Sequence, residues 1–144
     1  MAEKKAQIYI TPFGKERPRA SVVGGHAKIY TPRTTEVYEN EIRMGWKKVN
    51  GEKPFTGPLV MRLYFYMPIP KSETKANKMK MLEKKIRPTK KPDIDNLVKS
   101  VMDALNGIAY EDDSQIVTLL AKKYYGEMPC VKIIIAEWEA KDDG

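Results

Sequence analysis

The sequence predicts a mixed α/β (α+β) fold: an about four-stranded sheet, two main helices packed on it, and a basic helical insert. Three observations predict it. Four short stretches alternate apolar and polar residues, or run apolar, as strands do. Two longer stretches repeat apolar residues at helical spacing. Gly, Pro and Asn-Gly turns separate the elements. At 144 residues the chain is long enough for one core, so residues 1–144 are expected to form a single domain. A single cysteine, Cys130, excludes an internal disulfide. No run is long and apolar enough for a signal peptide or a membrane span, so an intracellular protein is expected.

In chain order, Gln7–Thr11 (QIYIT) alternates and is predicted as the first strand. Pro12–Lys28 reads as a Gly-, Pro- and Arg-rich loop. Its Lys15, Arg17 and Arg19, with Gly24-Gly25, are candidates for approaching a phosphate backbone. His26, the sole histidine, takes no role. Thr31–Val49 is predicted helical, with Thr31 or Thr34 as cap, acids early and Lys47-Lys48 late, as the helix dipole favours. Val37 or Tyr38, Ile42 and Trp46 form its inward stripe. Pro58–Met67 (PLVMRLYFYM) reads as a central strand with Met61, Leu63, Phe65 and Met67 in the core.

Lys71–Lys91 is the basic insert. It carries nine cations against Glu73 and Glu83, a balance equal to the net charge of +7 for the whole chain. Met79, Leu82 and Ile86 predict a thin helical stripe over Glu73–Ile86. The insert leads directly into the acidic stretch below, so Lys84, Lys85, Arg87, Lys90 and Lys91 are read as phosphate contacts of a nucleic-acid-binding arm. A basic balance favours an anionic partner, most commonly nucleic acid.

The chemistry is concentrated in Lys91–Ile116, KPDIDNLVKSVMDALNGIAYEDDSQI. Leu97, Val101 and Leu105, widened by Val98 and Met102, predict an amphipathic helix over Asp93–Leu105. Asp93 or Asp95 caps its start, and Asn106-Gly107 stops it. Asp93 and Asp95 converge only where the chain is still extended, at the helix entrance after Pro92. Asp103 lies roughly 12 Å beyond Asp95 along the axis, too far to share one ion, and is read as a partner of Lys99. The turn at Asn106-Gly107 sends the chain back, so Asp112 or Asp113 can return towards the helix start. Three such carboxylates suit a hard divalent cation such as Mg²⁺. An EF-hand is excluded because Leu97 stands where an oxygen ligand is required. Asn96 is read as a cap or as a partner of a metal-bound water.

After this stretch, Gln115–Tyr125 and Cys130–Trp138 are predicted strands. The short turn Gly126–Pro129 predicts that they pair as an antiparallel hairpin.

The residues KPDIDNL from Lys91, then Lys99, Asp103-Ala104-Leu105-Asn106-Gly107 and Asp112-Asp113-Ser114-Gln115-Ile116, resemble the signature of the RusA-type Holliday-junction resolvases, small prophage endodeoxyribonucleases. The resemblance is dense over this stretch and thin in the N-terminal third, where GKERPRA followed by YTP looks like one branch of the family. It implies a homodimer that nicks four-way DNA junctions symmetrically in recombination and repair, inside a bacterial or phage-infected cell. It implies Mg²⁺ dependence, with Mn²⁺ as a possible substitute. Carried over by position, Asp93, Asp95 and Asp113 are the catalytic and metal-binding carboxylates, and Lys99 contacts phosphate in the catalytic site. Asp103, Asn96 and Asp112 stand behind them. Two other readings fit the same residues: a nuclease of broader branched-DNA taste, and a non-catalytic junction-binding protein whose carboxylates are structural.

Overall fold

The computed structural model describes residues 2–16, 19–30 and 32–143, with the backbone alone at Arg19, Val23 and Tyr30. Its elements are β1 (Glu3–Ile8), β2 (Arg19–Val23), β3 (His26–Tyr30), α1 (Arg33–Asn50), β4 (Leu59–Pro68), α2 (Lys75–Leu82), α3 (Ile94–Leu105), β5 (Ile116–Gly126) and β6 (Cys130–Glu137). Four strands form one mixed sheet in the order β1-β6-β4-β5, and β2 and β3 form a separate pair. The fold class is therefore the mixed α+β arrangement that the sequence predicts.

β4 is the central strand and alternates as expected. Met61, Leu63 and Phe65 are fully buried. They meet Ile133 and Ile135 of β6 and the apolar stripes of α1 and α3 in one core. In α1 that stripe is Tyr38, Ile42 and Trp46, while Val37 faces solvent. Thr34 does not cap α1. Pro32 occupies the cap position, and the Thr34 hydroxyl donates to Glu16 at 2.7 Å.

Several expectations are corrected. The first strand is Glu3–Ile8, not Gln7–Thr11, because β6 pairs with residues 3 to 8. This is an edge strand rich in lysine, as edges exposed to solvent often are, and of its residues Ala6 and Ile8 pack with the core. The stretch Pro12–Lys28 is not all loop. Gly24 and Gly25, both at positive φ (59° and 83°), make the two-residue turn of the β2–β3 hairpin, a geometry glycine adopts without strain. The insert helix is shorter than Glu73–Ile86. Thr74 caps it by accepting from the Asn77 N–H at 3.2 Å, and its buried residue is Met81 rather than Met79 or Leu82.

The two last strands are not a hairpin. β5 runs parallel to β4, β6 runs antiparallel to β4, and β4 lies between them. The link 127–129 hops across the end of β4, where Pro68 has stopped the ladder. Two strand spacings are about 10 Å, within reach of so short a link. The crossing is tight: a Cβ on Gly126 would lie 2.9 Å from the Tyr66 Cβ. The parallel β4–β5 connection carries α2 and α3, as parallel pairs require a long crossover. Among the described residues no helix is long and apolar enough to cross a membrane.

Burial sets an alkaline limit on this fold. It pushes the Tyr38 hydroxyl up to about 12, and raises Tyr110 further, with Asp113, Asp103 and Asp112 adding to the effect. Near pH 10 the unfolded chain releases these protons while the folded chain holds them, so stability falls as pH rises. The expected slope is about 1.4 kcal/mol per pH unit for each tyrosine above pH 10. Denaturant midpoints measured from pH 8 to 11 check it; a flat profile above pH 10 would contradict the burial of both hydroxyls.

Candidate active site

The site is built on the N-terminal half of α3 and the turn that returns beside it. Leu97, Val101 and Leu105 are fully buried and hold α3 against the sheet. Asp93 takes the cap position with extended backbone (φ −66°, ψ 149°), yet its carboxylate makes no capping hydrogen bond. It is exposed, as is Asp95 in the first turn.

Beyond α3, Gly107 at φ 78° reverses the chain. Tyr110 is buried, and its hydroxyl donates to the Met102 carbonyl at 2.8 Å, pinning the returning segment to the helix. The Asn106 side chain then accepts from the Asp113 N–H at 3.0 Å. Asp112 and Gln115 form a capping box around a short 3-10 turn. Asp112 accepts from the Ser114 N–H at 3.1 Å, and Gln115 accepts from the Asp112 N–H at 3.2 Å. Gln115 also donates to the carbonyls of Phe55 and Gly57. The Ser114 hydrogen bonds hold the Asp112 carboxyl below its usual range. Asp112 is thus occupied in shaping the turn, and Asp113 is left facing the helix.

A groove of about 530 Å³ results, bordered by Asp95, Lys99, Asp103 and Asp113, with Val98 and Leu119 among its apolar walls. Asp93 lines a separate cleft, with Lys91, Pro92 and Lys15. The structure therefore brings Asp95 and Asp113 to one groove and sets Asp93 in another cleft. Among the described residues no three His, Cys, Asp or Glu side chains are gathered closely enough to hold a metal ion as they stand. By donor type the residues still fit a hard cation. Asp93, Asp95 and Asp113 offer carboxylate oxygens with no ion pair or hydrogen bond among the described residues.

Lys99 is 65% exposed and 4.0 Å from Asp103, the helical i, i+4 pair expected from the sequence. Asp103 has a second partner that sequence reasoning missed. Lys15 lies 3.3 Å from Asp103 and 2.7 Å from Glu39 of α1. Desolvation pulls the Lys15 pKa down, but Glu39 and Asp103 outweigh it and leave the pKa raised. Lys15 is thus a clamp between the 12–16 segment, α1 and α3, not a free phosphate contact. Its N–H donates to the Asn96 carbonyl at 3.1 Å, and Gly14 packs so closely on Pro92 that a Cβ there would lie 2.8 Å away. Nothing in the local sequence announces this long-range clamp.

The insert docks through cations. Arg87 Nε donates to the Lys123 carbonyl at 2.7 Å, and its guanidinium lies 4.0 Å from the Tyr124 ring centre. Lys84 sits 4.5 Å over the same ring, and Lys85 pairs with Glu83 at 3.7 Å. Lys123 holds the approach to the site by donating to the carbonyls of Lys90 and Pro92 at 2.9 and 2.8 Å. Lys90 and Lys91 are exposed beside it. Arg17 lies outside the described residues. Arg19 opens β2, and its side chain lies outside them too.

The family model for Endodeoxyribonuclease RusA matches residues 10–136. The chain belongs to the RusA endodeoxyribonuclease family. Membership makes it an endodeoxyribonuclease. The RusA match extends past the acidic stretch and takes in the N-terminal third from residue 10, where the motif resemblance is thin. One relative is the Bacillus subtilis (strain 168) protein YqaN, named only as uncharacterized. It is 38% identical over 138 residues, covering 94% of this chain and 97% of its own. Another is the crossover junction endodeoxyribonuclease rusA of Lactococcus phage r1t, 46% identical over 50 residues, covering 34% of this chain and 38% of its own.

Proposed function

We propose that this RusA-family chain resolves four-way DNA junctions by paired symmetric nicks, as a Mg²⁺-dependent homodimer acting in recombination and repair. The observation that carries the reading is one groove holding Asp95, Asp113 and Lys99 in a chain of this family. Asp95 and Asp113, with Asp93 beside them, would hold the ion, and Mn²⁺ should substitute. A bound Mg²⁺ would supply Lewis-acid stabilisation of the phosphate and lower the pKa of water.

The remaining roles belong to the chain itself. Lys99 meets the scissile phosphate as a point charge. Asp103 orients Lys99 and is itself anchored by Lys15. Asn96 and Asp112 shape the helix start and the turn. A two-fold dimer matches the approximate two-fold symmetry of a four-way junction, so two grooves make the paired nicks. The setting is the interior of a bacterial or phage-infected cell, and residues 1–144 act as one nuclease domain.

Lys85, Lys90 and Lys91 contact the sugar-phosphate backbone, helped by Lys84, Arg87, Arg17 and Arg19. Replacing Lys85, Lys90 and Lys91 by serine should weaken junction binding at every sequence. It should also flatten the slope of log affinity against log salt by about 5, near 0.9 for each of the six phosphate contacts the dimer loses. Filter binding across a salt series reads this; an unchanged slope would remove the insert from the interface.

Substrate choice separates the readings. The proposal expects rapid cutting of four-way junctions and slow cutting of three-way junctions, flaps and linear duplex. Equal rates on all branched substrates would replace it with the broader branched-DNA nuclease. Junction binding without cutting in either Mg²⁺ or Mn²⁺ would replace it with the non-catalytic reading.

A further inference from the structure

The sheet has a second face that α1 and α3 leave uncovered; the insert covers it at Tyr124, which is buried, and leaves Tyr64 and Tyr66 half-buried. The registers place Gln7, Lys132, Tyr64 and Lys122 in one row across it. The next row is Cys130, Tyr66 and Tyr124. Tyr66 and Tyr124 stack with ring centres 5.5 Å apart, and the Lys84 and Arg87 cations of the insert cover the Tyr124 ring. The Lys132 ammonium lies 6.0 Å from the Tyr64 ring centre.

The face ends in a cleft of about 390 Å³ bordered by Tyr9, Tyr66, Tyr125, Lys84 and Lys132, with Glu127 the acid at its rim. Tyr9 is 64% exposed. Besides Glu127, the acid on this face is Glu3, which already lies 3.9 Å from Arg62. The balance of charge is therefore positive, and the apolar surface is aromatic.

We propose that this open face, from Tyr64 to the Tyr9–Tyr66 cleft, binds an unpaired DNA strand. Bases stack on Tyr64, Tyr66 and Tyr9, with Tyr124 buried behind Tyr66, and phosphates lie against Lys84, Lys122 and Lys132. Aromatic platforms among cations suit unstacked bases, whereas a closed duplex presents only phosphates to such a surface. The cleft is of the volume that ligand sites commonly have. The proposal rests on the DNA-substrate reading above and deepens it. β5 is an outer strand: Leu119 and Ala121 border the acidic groove, and Tyr124 and Lys122 lie on the opposite face. Groove and tyrosine face thus flank one sheet edge. The insert occupies that edge at Lys123, so a strand freed when a junction opens would round it beside Leu119 and Ala121.

The test is fluorescence anisotropy of a labelled oligothymidylate and of a blunt duplex of equal length, in EDTA so that nothing is cut. The variants are Tyr9→Ala, Tyr9→Trp and the double variant Lys122→Glu/Lys132→Glu, each checked for folding by far-UV circular dichroism. Tyr9 is exposed, so its replacement leaves the core intact. The single strand should bind more tightly than the duplex. Tyr9→Ala should weaken strand binding about fivefold or more, with duplex binding unchanged, and Tyr9→Trp should retain it. The double variant should weaken strand binding further. Equal affinity for strand and duplex would overturn the proposal, as would strand affinity unmoved in all three variants. A change of oligomeric state by light scattering, with strand affinity intact, would assign the face to self-association and overturn it as well. Binding is read without metal, so this result stands apart from whether the acidic groove cuts DNA.

Discussion

Asp95→Asn and Asp113→Asn should each lower the rate of junction cutting by on the order of a hundred- to a thousandfold and leave junction affinity nearly unchanged. Each substitution keeps the shape of the side chain and removes the charge that would draw a divalent cation into the groove. Losing several kcal/mol of transition-state stabilisation corresponds to rate losses of this size. Asp112→Asn is the informative contrast. Its carboxylate accepts from the Ser114 N–H in the 3-10 turn, so this variant should keep most of its cutting rate. Single-turnover cleavage of a labelled junction separates the three. If Asp112→Asn were the inactive one and Asp113→Asn the active one, the groove would be wrongly assigned.

The largest stability effect is expected at Leu97. It sits in the first turns of α3, is fully buried, and belongs to the core formed by α1, α3 and the sheet. Leu97→Ala removes buried methyl groups and leaves a cavity that the flanking strands cannot close, at a cost of about 3 kcal/mol. For a chain of this length that lowers the thermal midpoint by about 10 °C. Because the same turn carries Asp93 and Asp95, cutting should fall even at temperatures where the variant stays folded. Calorimetry beside a cleavage assay at 20 °C checks both; a midpoint within about 2 °C of the parent would contradict the packing described.

What was legible in the sequence follows the physics of each signal. β4 and α3 carry strong periodicity because one face of each meets the core, so their inward residues were readable. β1 lies N-terminal to the expected Gln7–Thr11 because an edge strand of lysines has almost no alternation to read; β6 sets its position through the backbone ladder. The β2–β3 pair hid in a Gly-rich stretch, although Gly-Gly between short alternating runs is itself a hairpin signal. The β5–β6 link departs from the expected hairpin because a short connection usually means pairing, and the early stop of β4 at Pro68 lets the chain cross instead.

The site divides in the same way. The helix start, the Lys99–Asp103 pair and the returning turn are local and were read from spacing. The D-x-x-Q capping box at Asp112–Gln115 is also local, and its spacing is the signal that distinguishes Asp112 from Asp113. Lys15 reaches Asp103 from far away in the chain, and Lys123 grips the carbonyls before α3 from β5. Contacts of that range leave no mark on the neighbouring sequence.

The central claim is metal-dependent cutting at a junction by the acidic groove. Its most direct test is gel cleavage of an end-labelled four-way junction with Mg²⁺, with EDTA, and with Asp93→Asn in Mg²⁺. Paired, symmetric nicks are expected in the first lane and none in the other two. Wild-type protein that retards the junction but never nicks it with Mg²⁺ or Mn²⁺, across several junction sequences, would contradict the account and leave a junction-binding relative whose carboxylates serve the fold.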